Sequence, residues 1–376
     1  MHVLITALHR PSKPTGVCRH ASGLARCLAS LDDITQITLV IGEWQREYFE
    51  SVFPLSSHKI KLIDINIRNS SFSRNLWFVF GLPKLAKKLK PDLLHLSFPL
   101  PFIRAKFPCP VVTSIHDLYA YEFPENFGYF KANFNRLFFQ RCLKESDSLT
   151  CVSRHTAERL LHHFPELENK KRINVTYNFV DFDDIDPQKP DCWSQQCASP
   201  FILTVAQHRK NKNLDLLLLA YSQLVEEGTV SQTISLILVG SSGPETPTLL
   251  HLIRELKLQN QVHLLSSISD GELRWLYQNS TLFVTPSATE GFCVPLAEAL
   301  YFSCPCVSSD IPVLREIGEN HCNYFKLEGN SVSNLKSAIA KSLLESPTRI
   351  LPTSEFKFSK SNAGRSYLEF YRETLS

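Results

Sequence analysis

Short apolar runs recur along this chain, separated by segments long enough for one helix each. In the first half they fall at residues 1–8, 37–40, 60–65, 93–96, 111–115, 149–152 and 173–177; in the second at 201–205, 234–239, 263–265, 282–284 and 306–309. Runs this short read as strands. The intervening segments carry helical spacing, as where Val17, Ala21, Leu24, Ala25 and Leu28 share one face. Alternation of this kind predicts an α/β architecture of parallel sheets covered by helices.

The chain has 376 residues, 43% of them hydrophobic, enough for two domains with a core each. A polar, proline-containing stretch at 182–200 reads as the linker. The expected division is a first domain at 1–181, the linker at 182–200, a second domain at 201–357 and a terminal helix at 358–376. A formal net charge of +3 is too small to argue for a nucleic-acid partner. The 11 cysteines have no repeating spacing, and Cys304-Pro305-Cys306 is neither a zinc knuckle nor a redox pair, so free thiols in a reducing cytoplasm are expected. Residues 1–8 lack a basic leader, and no uninterrupted apolar stretch is long enough to span a membrane. Lys84, Lys87, Lys88 and Lys90 form either a solvated helix end or a basic surface for anionic lipid.

Ligand-binding loops of such folds follow the carboxyl ends of the strands. Four loops there carry candidate chemistry. Gly16 opens the first helix. His116, followed by Asp117, ends the run at 111–115; it either bonds a ligand at a reacting centre or is a loop histidine satisfied by Asp117. Arg209, Lys210 and Lys212 lie between a strand and a helix, where they suit a diphosphate or form a solvated loop. Gly240 follows the run at 234–239 in a loop suited to close backbone approach. The densest stretch is Pro286-Ser287-Ala288-Thr289-Glu290-Gly291-Phe292-Cys293-Val294-Pro295-Leu296-Ala297-Glu298-Ala299. Pro295 sets a helix start near Val294 or Pro295, which puts Glu290 in the loop and Glu298 just inside the helix. A helix N-terminus beside Gly291 suits a phosphate, and flanking carboxylates suit sugar hydroxyls; the plain alternative is a loop charge and a dipole partner. Asp181-Phe182-Asp183 and Asp184-Ile185-Asp186 match a metal-holding D-x-D only formally, because they fall in the linker.

That last stretch resembles the P-S-x-x-E-G-F-G-x-P-x-x-E-A block, with its E-x7-E pair, of the family-4 retaining glycosyltransferases. Gly16, His116-Asp117, Ser153, Asn178-Phe179-Val180-Asp181, Lys212-Asn213, Gly240 and 309–316 match the same family in order. The resemblance implies the GT-B architecture: two Rossmann-like domains with parallel sheets facing across a cleft, the last helix packing back on the N-terminal domain. It implies that the first domain binds the acceptor and the second a nucleotide sugar. Glu290 would contact the donor sugar, with Gly291, Phe292, Cys293 and Val294 around it, and Glu298 the ribose. Lys212, with Arg209, would neutralise the diphosphate; His116 would bond the sugar near its reacting carbon; Gly16 and Gly240 would admit phosphates. No metal or other cofactor is expected.

Three departures stand out. Gln207 takes the place of the family's arginine, with Arg209 as the replacement cation. Cys293 stands where glycine is common, tolerable with φ below zero, and Phe179 replaces the glycine of N-G-V-D. The expected activity is retaining transfer of a hexose, mannose from GDP-mannose first and a UDP-sugar next, onto a glycan or lipid-linked glycan of a surface polysaccharide or lipopolysaccharide. The expected setting is the cytoplasm, with peripheral membrane association at its inner face. A sugar-nucleotide-binding scaffold without transfer activity is the alternative from another class.

Overall fold

The computed structural model describes residues 1–10, 15–53, 55–122, 129–183, 185–190, 200–229, 234–345 and 356–376. Asp184 and residues 191–199 of the expected linker lie outside the described residues. The chain forms two compact units, residues 1–178 with 358–376, and residues 179–357.

In the first unit, β1 (His2–Thr6), β2 (Gln36–Gly42), β3 (Ile60–Ile65), β4 (Leu93–Leu96), β5 (Val111–Ile115), β6 (Ser148–Cys151) and β7 (Arg172–Val175) form one sheet in the order β3-β2-β1-β4-β5-β6-β7. Every pairing is parallel, with β1 seated between β2 and β4 (Ile5 opposite Leu39 and His95). Helix α1 (Gly16–Ala29) follows β1 and buries Cys18, Ala21, Leu24, Ala25 and Leu28. Full burial of Leu24 and Leu28 contributes about 1.5–3 kcal/mol each, and the smaller side chains less.

The second unit repeats the plan with β8 (Phe201–Val205), β9 (Ser235–Val239), β10 (Val262–Leu265), β11 (Leu282–Thr285), β12 (Cys306–Ser309) and β13 (Cys322–Phe325), ordered β10-β9-β8-β11-β12-β13 and all parallel. The apolar-run reading stops at residue 309 and misses β13. That strand is Cys-Asn-Tyr-Phe at the sheet edge, with only Phe325 buried, so it never shows the signature of a two-faced strand. Helices α2 (Leu214–Glu226), α3 (Asp270–Asn279), α4 (Val294–Tyr301) and α5 (Ser331–Glu345) belong to this unit. The described residues just after Asp181 are part of it too: Phe182 packs edge-on against Phe302 at 5.1 Å, and Gln188 N–H donates to the Gly271 carbonyl at 3.0 Å.

Helix α6 (Lys360–Leu375) returns to the first unit. Ser359 caps it, and Tyr367, Phe370 and Tyr371 are buried, so the expected packing of the last helix on the N-terminal domain is what the structure shows. In both sheets the strand order reverses between the first and fourth strands of the unit, β1 and β4 or β8 and β11. Loops leaving adjacent strands there diverge and open a crevice at their carboxyl ends.

Candidate active site

In the second unit the loops after β8 and β11 meet at this reversal, and backbone and side chains stitch them together. Ala288 N–H donates to the Asn211 carbonyl at 2.8 Å, and Asn213 Nδ2 to the Pro286 carbonyl at 3.0 Å. Asn213 sits at φ 48°, the left-handed conformation that asparagine tolerates, and so turns the chain from the Lys210–Lys212 turn into α2. Lys212 is thereby aimed at the other loop, where its Nζ lies 2.5 Å from Glu290 Oε1. The same oxygen accepts the Ser287 hydroxyl at 2.8 Å, and Ser287 is fixed in turn by Ser309 Oγ on its carbonyl at 2.5 Å. Among the described residues nothing bonds Glu290 Oε2.

The pair is largely sheltered, with side-chain exposures of 20% for Lys212 and 8% for Glu290. Burial works against the Lys212 ammonium, but the Glu290 carboxylate outweighs it and raises the pKa. Arg209 is exposed and near enough to oppose that charge. His208 turns inward, with Nδ1 2.8 Å from Thr246 Oγ1, a position sequence reasoning did not single out.

Helix α4 starts at Val294 with Pro295 in its first turn, as the proline predicts. Its N-cap, Cys293, has φ 72° and ψ 70°, so the expectation of a negative φ fails. The Cys293 carbonyl accepts from Leu296 and Ala297 N–H at 3.1 and 3.4 Å, the ordinary first bonds of the helix, so the left-handed backbone here is one that glycine adopts freely and cysteine holds at a cost. Phe292 is buried, while Gly291 and Val294 are half-buried. Glu298 Oε2 accepts the hydroxyl of Tyr277, a fully buried residue of α3, at 2.8 Å. Gly240 has a fold-level reason to be glycine: a Cβ there would lie 1.9 Å from the Ala206 carbonyl oxygen. Gly16 has none. It is the first residue of α1, and a Cβ there would meet nothing within 4 Å.

The first unit holds a different kind of centre. His116 leaves the end of β5, and its Nε2 lies 2.8 Å from the Ser97 carbonyl, at the end of β4. A carbonyl only accepts, so Nε2 carries the proton and Nδ1 the lone pair. Burial lowers the His116 pKa, against the pull of the Ser97 carbonyl and of Asp117, and the ring is neutral at pH 7. It therefore offers an acceptor to a ligand hydroxyl. Asp117 Oδ1 accepts the Tyr119 N–H. Against His116 packs His20, edge to face at 4.4 Å. His20 lies one helical turn after Gly16, and that i, i+4 spacing was the signal available for it.

Comparison with known proteins agrees with this anatomy. The family model described as Glycosyltransferase Family 4 matches residues 14–184, and that described as Glycosyl transferases group 1 matches residues 193–352. The chain is 23% identical to the O-antigen chain mannosyltransferase RfbU of Salmonella typhimurium, over 85% of this chain and 86% of that one. It is 28% identical to the serotype-specific mannosyltransferase WbdA of Escherichia coli over 57% of its length, spanning only 27% of that larger protein. In fold it is similar to Anabaena HepE in complex with UDP-glucose, with TM-score 0.67, 16% identity, and coverage of 99% of this chain and 100% of that one. No described helix is long and apolar enough to cross a membrane. With one model on each half of the chain and two Rossmann-like parallel sheets beneath them, this protein belongs to the family-4 glycosyltransferases of GT-B type.

Proposed function

We propose that the enzyme transfers mannose from GDP-mannose to a hydroxyl of a growing glycan of O-antigen or another lipopolysaccharide, with retention at the anomeric carbon and without a metal. The observation that carries the reading is the sheltered Lys212–Glu290 pair at the strand reversal. A diphosphate drawing Lys212 toward itself frees Glu290 Oε1 to join Oε2 in accepting sugar hydroxyls, so one ion pair becomes two donor contacts. As the bond from C1 to the phosphate oxygen breaks, its electrons pass to the diphosphate, where Lys212 and Arg209 stabilise the growing charge. The acceptor hydroxyl attacks C1 from the same face, and its proton passes to the departing phosphate oxygen. In the second unit Glu298 is assigned to the ribose; in the first, His116 Nδ1 offers an acceptor to a substrate hydroxyl and Gly16 leaves room for phosphate or acceptor. Mannose is favoured because RfbU and WbdA are mannosyltransferases; HepE, solved with UDP-glucose, keeps a UDP-sugar as the second reading.

The enzyme works in the cytoplasm, peripheral to the membrane. Phe72, Leu76 and Phe80 are 78%, 48% and 52% exposed at successive four-residue steps, and exposed Lys84, Lys87 and Lys88 extend the same segment. Apolar side chains beside lysines match an anionic lipid surface.

The test is nucleotide release and product mass from purified enzyme given GDP-mannose, UDP-glucose or UDP-galactose with lipid-linked glycans, in EDTA. Transfer from GDP-mannose alone supports the reading. Turnover of a UDP-sugar alone replaces the donor, and binding without release in every combination overturns transfer.

A further inference from the structure

Behind His116 the first unit contains a chain of polar groups that the proposed chemistry does not use. Tyr371 of α6 places its hydroxyl 2.6 Å from His95 Nδ1. His95 Nε2 is 2.8 Å from Ser114 Oγ, Ser114 Oγ is 3.2 Å from His20 Nε2, and His20 Nδ1 is 3.0 Å from Asn178 Oδ1. Tyr371, His95 and Ser114 are fully buried, a place where polar groups persist only when paired.

The far end fixes the direction of every bond. The Asn178 amide oxygen can only accept, so His20 carries its proton on Nδ1 and a lone pair on Nε2. Ser114 must then donate to His20 and accept from His95, which puts the His95 proton on Nε2. Its Nδ1 accepts the Tyr371 hydroxyl. Reversal would leave two acceptors face to face at Asn178. Burial keeps both rings neutral, holding His95 down at about 3 and His20 well below its ordinary value.

We infer that α6 positions the site histidine through this relay: Asn178 sets the tautomer of His20, Tyr371 fixes His95, His95 and Ser114 hold the plane of the His20 ring, and His20 forms the wall against which His116 is set at 4.4 Å. Tyr371, His95, Ser114 and His20 are positioning residues. The inference rests on the transferase reading only where it concerns rate.

The test is long-range 1H–15N correlation on histidine-labelled full-length protein, which reports the tautomer of each ring. The expected wild-type result is three neutral rings, with His95 and His116 protonated on Nε2 and His20 on Nδ1. Tyr371→Phe removes one hydroxyl while keeping the ring; it is expected to shift the His95 and His20 signals and to lower kcat about fivefold with donor KM unchanged. Ser114→Ala, which cuts the relay in the middle, should move His20 in the same sense. A wild-type His20 protonated on Nε2 overturns the relay. So does a Tyr371→Phe protein whose His20 signals are unmoved, even where kcat falls. Should the wild type transfer no sugar from any donor, the transferase reading fails and the tautomers still decide the relay.

Discussion

The two polar centres solve opposite problems. Lys212 and Glu290 are full charges on loops, joined by one short contact and held by Ser287 and Asn213 at the strand ends. His95 and His20 of the first unit are held neutral by burial, sit on a strand and a helix, and have both ring nitrogens hydrogen-bonded within the unit. A charge pair on loops can exchange partners when a more highly charged group arrives. A neutral network in a core holds shape, because leaving any member unpaired costs about 1–3 kcal/mol. The first suits a step in which charge moves, the second a surface that must stay where it is.

The largest expected effect breaks the first centre. Lys212→Ala and Glu290→Ala should each lower kcat/KM by about 10³-fold, the scale of losing a preorganised charge contact, and each should cost about 3 kcal/mol by stranding its sheltered partner. The double variant should recover most of that stability in denaturant titrations and none of the activity. Equal activity loss with no stability recovery would mean the two side chains are not a pair.

Acid should break the second centre. A folded-state pKa below the unfolded value means that the unfolded chain binds the proton first, so stability is complete above about pH 6.5 and falls as pH drops toward the folded value. For His95 that window runs from 6.5 down to about 3, and the loss is on the order of a few kcal/mol. Thermal melts across this range should show the slope, and His95→Gln should flatten it.

Two smaller substitutions sharpen the contrast between geometry set by the fold and geometry left for a ligand. Cys293 sits at φ 72° with its side chain buried, so Cys293→Gly should be more stable than Cys293→Ala by about 1 kcal/mol in melts, as strain relief offsets the lost packing. Gly16→Ala has open space for its methyl group and should add about 0.5 kcal/mol of stability. A loss of transfer in that more stable protein would show that a ligand, not the chain, requires the glycine.

The alternation of apolar runs was enough to read both sheets except β13, and Pro295 alone located the start of α4. Lys212 and Glu290 were both visible as candidates, yet not as partners. They are 78 residues apart, and only the adjacency of β8 and β11 brings their loops together. Gly240 was legible as a place of close backbone approach, but the sequence does not reveal that the group approaching it is the Ala206 carbonyl. The relay was harder still, since Tyr371 and His95 are separated by 276 positions and neither belongs to a motif. Patterns expose periodic burial, whereas a buried hydrogen bond between distant residues leaves no periodic trace.

The first unit is discontinuous, completed by residues 358–376 only after the whole second unit has been written. During synthesis this reverses the usual order in which the N-terminal domain finishes first. The nascent first sheet waits with His95 lacking its tyrosine while the second unit is made. A chaperone or protease meeting the chain in that interval finds an unclosed apolar seam along α1 and β4, and arrival of α6 seals it. Assembly of the neutral centre thus waits on the arrival of α6, and a mutation in α6 would register in yield before it registered in rate.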